Sequence, residues 1–333
     1  MPNTSEGTFA IYGRKDPLLR IFSSRTPKSI PVALAASAII MIALTSCAAA
    51  TPQDEPTPDA AATTRLVDHA RGQTAVPDDP QRVVVLEPVQ LDTSVALGVI
   101  PIGAAVLNET TGVPAYLGDE AAGITPVGTV AEPSIEKIAA LRPDLIIGTE
   151  SRHSALYDQL SSIAPTVFMP SQADPWQDNV EMVADALGDP EGAVELLDDY
   201  TERCTEIAET YDVAGETVQF VRPRDGVLTL YGPTSFAGST LECAGFTIPE
   251  RDWQGSISVD ISPELVLEAA ADYVLVSAAD VSDENAVPAV IQANAASFPE
   301  LHVVDQSFWI TGVGPLGGLA VLDDIERILS SSK

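Results

Sequence analysis

Arginine is scarce in this chain, so the places where it gathers are informative. Only 17 Lys and Arg stand against 48 Asp and Glu, giving a formal net charge of −31 at pH 7. In that field Arg152, Arg222 and Arg224 are the cations of interest. A guanidinium stays charged at any relevant pH and presents a planar fork of donors that fits carboxylate or catecholate oxygens two at a time. Tyr231 and Trp309 offer flat faces with a polar tip, suited to stacking on a ligand or hydrogen-bonding its rim. Together these five residues predict non-covalent capture of an oxygen-rich anion. The competing roles are an ion-pair partner on an acidic surface for each arginine and core packing for Trp309.

Other reactive side chains leave alternatives open. His153 and Tyr157 lie four apart and would share a helix face, with N and O donors that iron accepts, or with a capping and rim role. Cys204 and Cys243 form an even pair once Cys47 is set aside, so both a disulfide and two buried thiols are open, and their spacing matches no zinc pattern. The sequence has no Gly-x-Ser-x-Gly elbow, no P-loop and no Gly-x-Gly-x-x-Gly after a strand. Pro315 spoils the lone glycine cluster at 312–317 as a phosphate cradle. We therefore expect no enzyme, no intrinsic cofactor and no resident metal. Trp176 and Trp253 read as packing or rim residues.

The elements that must position the arginines follow from alternating short apolar runs and helical stretches. Strands are expected at 83–86, 101–104, 145–147 and 166–168, with helices at 91–97, 134–141 and 155–163 between them. Strands this apolar, separated by helices, indicate parallel sheets covered on both faces. Residues 171–212 carry no strand signal and read as connecting helices, broken by the Gly-Asp-Pro step at 188–190. The second of these, about 20 residues long, would span ~30 Å and reach from one lobe to another. The strand–helix pattern resumes with strands at 217–221, 227–231, 273–276 and 303–304 and helices at 236–243, 262–270 and 316–329. The fold class is α/β: an N-terminal lobe at 65–170, the helices at 171–212 and a C-terminal lobe at 213–333. In open α/β sheets ligands gather beyond the carboxyl ends of the strands, where Glu87, Arg152, Arg222, Arg224, Tyr231 and Trp309 all fall.

The N-terminus predicts export. Basic residues at 14–28 precede an apolar run at 30–44, too short for a comfortable membrane span and suited to a signal-peptide core. Residues 1–46 read as the signal peptide, ending in Leu44-Thr45-Ser46-Cys47, which resembles a bacterial lipobox with Cys47 as the lipidated mature terminus. Residues 47–64, rich in Ala, Thr and Pro, bury too little to order themselves and read as a tether. The expected location is extracytoplasmic, held on the membrane by lipid without spanning it. So acidic a chain is a poor partner for nucleic acid, and a monomer is expected.

One unit occurs twice. "SIEKIAALRPDLIIG" and "SPELVLEAAADYVLVS" place Ser134, Glu136 and Asp144 in register with Ser262, Glu264 and Asp272. Ser at an N-cap and an acid in the first helical turn suit helix electrostatics, and Pro263 suits the first helical position. The repeat marks duplication of a whole lobe.

The runs at 135–169, 221–246 and 309–329 resemble ferric-siderophore binding lipoproteins, the substrate-binding components of ABC importers. The resemblance covers nearly everything from residue 66 onward. It implies a class III periplasmic-binding-protein-like fold, two α/β lobes joined by a rigid helix, with the ligand in the cleft. The implied ligand is an Fe(III)–siderophore complex contacted by the Arg and Trp regions, and the implied partner is a permease with its ATPase. In that family one glutamate on each lobe meets the permease, and Glu136 and Glu264 occupy the matching positions. Cobalamin or haem binding, or a docking and sensing lipoprotein without transport, are the alternatives the resemblance leaves.

Overall fold

The computed structural model describes residues 63–173 and 175–331. The signal peptide expected at 1–46, Cys47 and nearly all of the tether lie outside the described residues. Thr64, the last tether residue expected, already starts a strand. That strand, β1 (Thr64–His69), forms an antiparallel hairpin with β2 (Gly72–Pro77), an element the sequence reading missed.

The first lobe is a five-stranded, all-parallel sheet of β3 (Val83–Val85), β4 (Gly103–Val106), β5 (Thr125–Thr129), β6 (Leu145–Thr149) and β7 (Thr166–Met169). Its order is β5-β4-β3-β6-β7. Val83–Val85 and Leu145–Ile147 are almost fully buried, as continuous apolar strands covered on both faces must be. The second sheet contains β8 (Val218–Arg224), β9 (Val227–Tyr231), β10 (Ser258–Ile261), β11 (Tyr273–Ala278) and β12 (Glu300–Asp305). Its order, β10-β9-β8-β11-β12, repeats the first sheet's pattern of two strands to one side of the lobe's first strand and two to the other.

The second sheet is mixed. β8, β11 and β12 are parallel, whereas β9 runs antiparallel to both of its neighbours, β8 and β10. The reason lies in two residues: Asp225 and Gly226 both take positive φ (49° and 81°), the backbone of a tight hairpin turn. A parallel crossover needs a dozen residues or more, and here only Asp225-Gly226 separates the strands.

The lobe duplication is visible in hydrogen bonds. The Asp144 carboxylate accepts from the backbone N–H of Gln81 and of Arg82, each at 2.9 Å, just before β3. Asp272 accepts from the Thr217 N–H and hydroxyl at 2.8 and 2.7 Å, just before β8. Each repeated aspartate thus ties the entrance of a lobe's central strand to the strand that follows it. Ser134 also caps its helix, Ile135–Leu141, through the Lys137 N–H. Ser262 does not: Pro263–Ala269 is a 3-10 segment kinked at Leu265, with no side-chain cap bond. Ser262 thus stands at the expected N-cap position with extended backbone but makes no capping bond, and Pro263 opens the segment. The helix expected at 155–163 is likewise broken, into a 3-10 turn at Ser154–Leu156 and a short helix at Tyr157–Ser161.

Between the lobes run the helices Trp176–Leu187 and Pro190–Thr210, the latter 21 residues long. Gly188, at φ 93°, ends the first, and the Asp189 carboxylate caps the second through the Gly192 N–H at 3.0 Å. The long helix buries Ala193, Tyr200, Cys204 and Ile207, a single stripe at helical spacing. Cys204 is joined to Cys243 on the helix Phe236–Cys243, with Cα atoms 5.4 Å apart. The sequence separation is 39, for which chain entropy gives roughly 3–4 kcal/mol. Cys204→Ala with Cys243→Ala is thus expected to lose about 3 kcal/mol of unfolding free energy in urea. Unchanged stability in the variant would rule out a stabilising role for the bond.

One core cluster draws from both lobes: Val89, Met169, Trp176 and Val180 pack with Tyr200, Phe220, Leu241, Trp309 and Val321. Trp176 meets Tyr200 and Phe236 edge-on, with centroids at 4.9 and 5.6 Å. Such contacts add roughly 0.5–1.5 kcal/mol each beyond area burial. The C-terminal helix, Pro315–Ser331, packs on the long helix and also on the first-lobe helix Pro88–Ala96. A large hinge opening would have to break this shared core.

Candidate functional site

A cleft of about 510 Å³ lies between the two sheets. In each sheet the strand order reverses beside the first strand, between β3 and β6 and between β8 and β11, and ligands favour the crevice outside such a switch point. The residues following β3 and β6 are Glu87 and Arg152, and both line the cleft. Arg222 and Arg224 reach it from the end of β8, and Tyr231 from the end of β9. Trp309 borders it from the short helix Gln306–Trp309. All five residues nominated from the sequence therefore surround one cavity.

Their surroundings differ. Arg222 is half-buried, paired through its backbone with Thr229 in the β8–β9 ladder, and its side chain forms no ion pair or hydrogen bond among the described residues, so its fork is available to an incoming anion. Arg224 is exposed, donates to the Thr229 hydroxyl at 2.8 Å and lies 3.4 Å from Asp260. Asp260 is held below the usual carboxylate range, chiefly by the Thr229 hydroxyl and then by the Arg224 charge. Arg224 thus meets a ligand partly neutralised.

Arg152 is partnered too. Its Nε lies 2.8 Å from Glu87 Oε1, and the Glu87 side chain is only 3% exposed. Burial drives the Glu87 carboxyl up to about 7, against the pull of the Arg152 charge and a hydrogen bond from Thr149. Gln90 fixes the backbone around it, accepting from the N–H groups of Leu86 and Glu87 and donating to Gly148 O at 2.9 Å. The nearby Glu150 is removed from competition by Arg71, which grips it with two bonds at 2.6 and 2.8 Å.

Tyr231 is half-buried, its ring tilted against Phe220 at 5.2 Å. Trp309 is 1% exposed, stacked on Phe220 at 5.3 Å, and its indole N–H is spent on Asp324 at 2.9 Å. It forms the cleft's rigid edge, with no free face for a ligand to cover. Trp176, also at the cleft border, packs in the core and donates to Ser239 at 3.3 Å, as the packing alternative holds.

His153 does not face a metal. Its Nε2 donates to Val130 O at 2.9 Å while Nδ1 accepts from the Thr149 N–H at 3.2 Å, so both nitrogens are engaged. Burial lowers its pKa, which keeps the ring neutral in this arrangement. Tyr157 packs edge-on against Phe168 beneath Arg71. The pair orders the β6–β7 end of the first lobe. Among the described residues no cluster of His, Cys, Asp and Glu could hold a metal ion.

The reading from sequence placed Glu87 at a strand end but gave it no role. It also missed Gln172, Asn179 and Phe236, which line the cleft from outside the strand ends. Nothing local distinguishes those residues in the sequence.

Glu136 and Glu264 lie elsewhere, exposed and outside the cleft lining. Each accepts a hydrogen bond from the serine two residues before it, at 3.2 Å in both lobes, and neither forms an ion pair among the described residues. The same local arrangement recurs although one sits on an α-helix and the other on a 3-10 segment.

Comparison with known proteins agrees with this geometry. The periplasmic binding protein family profile matches residues 83–297. The chain is 34% identical to the probable siderophore-binding lipoprotein YfiY of Bacillus subtilis, over 81% of this chain and 89% of that protein. It is 29% identical to the Fe(3+) dicitrate-binding periplasmic protein FecB of Escherichia coli, over 87% and 93%. Among solved structures, Staphylococcus aureus SirA complexed with staphyloferrin B superposes with a TM-score of 0.68 at 26% identity, covering 80% of this chain and 99% of that one. Two lobes about a shared core, a cleft at both switch points and the profile match lead to one conclusion: the chain belongs to the periplasmic binding protein family, as a substrate-binding protein and not an enzyme.

Proposed function

We propose that this protein captures a ferric siderophore in the inter-lobe cleft and delivers it to the permease of an ABC importer while lipid on Cys47 holds it at the membrane. The observation that carries the reading is Arg222, half-buried in the cleft without a counter-ion in a protein of net charge −31. A cation kept unpaired among so many carboxylates is arranged for an anion from outside. Many ferric siderophore complexes are anionic and oxygen-rich, and the relatives named for ferric citrate and siderophore binding support the same class. A ligand that wraps iron completely asks the protein only for charge, shape and exclusion of water.

Trp176 and Trp309 border the cleft, so intrinsic fluorescence reports occupancy. Titration with ferric citrate, ferric hydroxamate and ferric catecholate complexes is expected to quench it with at least one of them. Quenching by none, with haem or cobalamin binding instead, overturns the assignment.

Delivery rests on Glu136 and Glu264, one exposed unpaired acid per lobe, positioned to meet cations on a permease of two halves. The Glu136→Ala, Glu264→Ala variant is expected to bind ligand with wild-type affinity and to lose most iron uptake in cells. Weakened ligand binding would place these acids in folding. Normal uptake would mean that these two acids do not form the docking contact.

A further inference from the structure

The cleft contains one feature that capture of an anion does not explain, a buried acid. Glu87 follows β3 at the first lobe's switch point, its side chain 3% exposed, its Oε1 at 2.8 Å from Arg152. A carboxylate there cancels one of the cleft's positive charges before any ligand arrives. We infer, resting on the siderophore reading above, that Glu87 sets the charge class of the ligand: it is ionised in the empty cleft and takes up a proton when a multiply anionic ferric complex binds, releasing Arg152 to that complex.

The groups facing Glu87 support a single-site exchange. Arg152 is the charge against it, and Arg222 and Arg224 lie in the lining across the cleft. Glu150 is held by Arg71, and His153 has both nitrogens committed, so neither competes for the proton. Asp92, on the same helix, is turned to the C-terminal helix. An anion brought beside a buried carboxylate repels it in a medium of low dielectric, and neutralising the acid is the least costly relief. Burial already holds this carboxyl near neutrality, at about 7, so the added repulsion moves it through the working pH range. A neutral Glu87 is a hydrogen-bond donor, which an oxygen-rich anion accepts. For a cationic complex the sign reverses, and ionised Glu87 is the attractive group.

The test uses calorimetry with the mature full chain and three probes: ferric citrate, the trianionic ferric enterobactin and the monocationic ferrioxamine B. Titrations in two buffers of different ionisation enthalpy give the protons taken up on binding. Comparing wild type with Glu87→Gln cancels the probe's own titration. For an anionic probe at about pH 7.5, the wild type is expected to take up about half to one more proton than the variant. The variant is expected to bind that probe roughly tenfold more tightly at about pH 8, the two converging at about pH 6. If ferrioxamine B binds, the variant should weaken it instead. Equal proton counts in both proteins overturn the inference, as does a variant that is weaker toward anionic probes by the same factor at every pH. Should Glu87→Gln fail to fold, the probe's own titration is measured by potentiometry of the free complex, and the wild-type proton count corrected for it carries the test: about half to one proton supports the inference and none overturns it. Binding of none of the three probes defeats the siderophore reading and this inference with it, whereas binding without the proton difference defeats only the latter.

Discussion

Arg222→Ala is expected to weaken capture of an anionic ferric complex by about 100-fold, with no change in melting temperature. Truncating one partner of a buried, charge-assisted hydrogen bond costs roughly 2–5 kcal/mol, and each 1.4 kcal/mol is a factor of ten in affinity. Stability should be indifferent because the Arg222 side chain satisfies no other group among the described residues, so its removal strands nothing. Arg224→Ala separates this mechanism from a general effect of charge. Arg224 is exposed and already shared with Thr229 and Asp260, so about tenfold or less is expected there. Arg222→Lys should recover only part of the loss, since an ammonium cannot present the two-pronged fork. Raised salt should shrink the Arg224 effect more than the Arg222 effect, because screening acts mainly on exposed charges. Equal losses at the two positions, or none at Arg222, would abolish the distinction between the two arginines.

That distinction could not be read from the sequence. Arg222 and Arg224 flank the same proline and look equivalent; what separates them is the hairpin turn at Asp225-Gly226, which brings Thr229 and Asp260 of neighbouring strands to Arg224. The lobes, the long helix and the repeated Asp144 and Asp272 were legible, because they rest on apolar periodicity and on residues near each other along the chain. The strand-end rule also collected the cleft's main cations, since it needs only the ends of strands. It failed where function depends on a partner far away in sequence. Glu87 was in view, yet its burial against Arg152 is a product of the switch point. Trp309 was nominated for its type, and its stacking on Phe220 together with the bond to Asp324 makes it part of the frame. His153 and Tyr157 raised iron ligation for the same reason, and the backbone groups of Val130 and Thr149 settle His153 otherwise.

The glycine cluster at 312–317 shows how one such distant partner governs stability, and it yields the second large prediction. Asp92, on the helix Pro88–Ala96, is fully buried and accepts from the N–H groups of Leu316 and Gly317 at 2.9 and 2.8 Å. The Tyr116 hydroxyl donates to it at 2.9 Å. A first-lobe carboxyl thereby caps the C-terminal helix, and Gly314, at φ 143°, leaves room where a Cβ would collide with it. Asp92→Ala orphans the N–H groups of Leu316 and Gly317, leaves the Tyr116 hydroxyl only the Thr311 carbonyl at 3.5 Å and opens a cavity, so a loss of about 4 kcal/mol is expected. The loop from Ile310 to Val313, which borders the cleft, leads into this cap and should loosen with it. Burial raises the Asp92 carboxyl from 3.8 to about 7, opposed by hydrogen bonds from Gly317, Tyr116 and Leu316. Between these values the folded state binds more protons than the unfolded chain, so stability falls as pH rises. Its contribution is fully present below about pH 4 and lost by the time pH passes about 7; Glu87, raised to about 7, acts in the same direction. Urea unfolding of the wild type is therefore expected to show declining stability from about pH 5 to about pH 7.5. Asp92→Asn keeps an acceptor but cannot ionise, so it should be less stable than wild type at about pH 5 and close much of that gap at about pH 8. A variant with the wild-type slope would mean that another group carries the pH dependence. An Asp92→Ala protein as stable as wild type would mean that the shared core, and not the cap, holds the C-terminal helix in place.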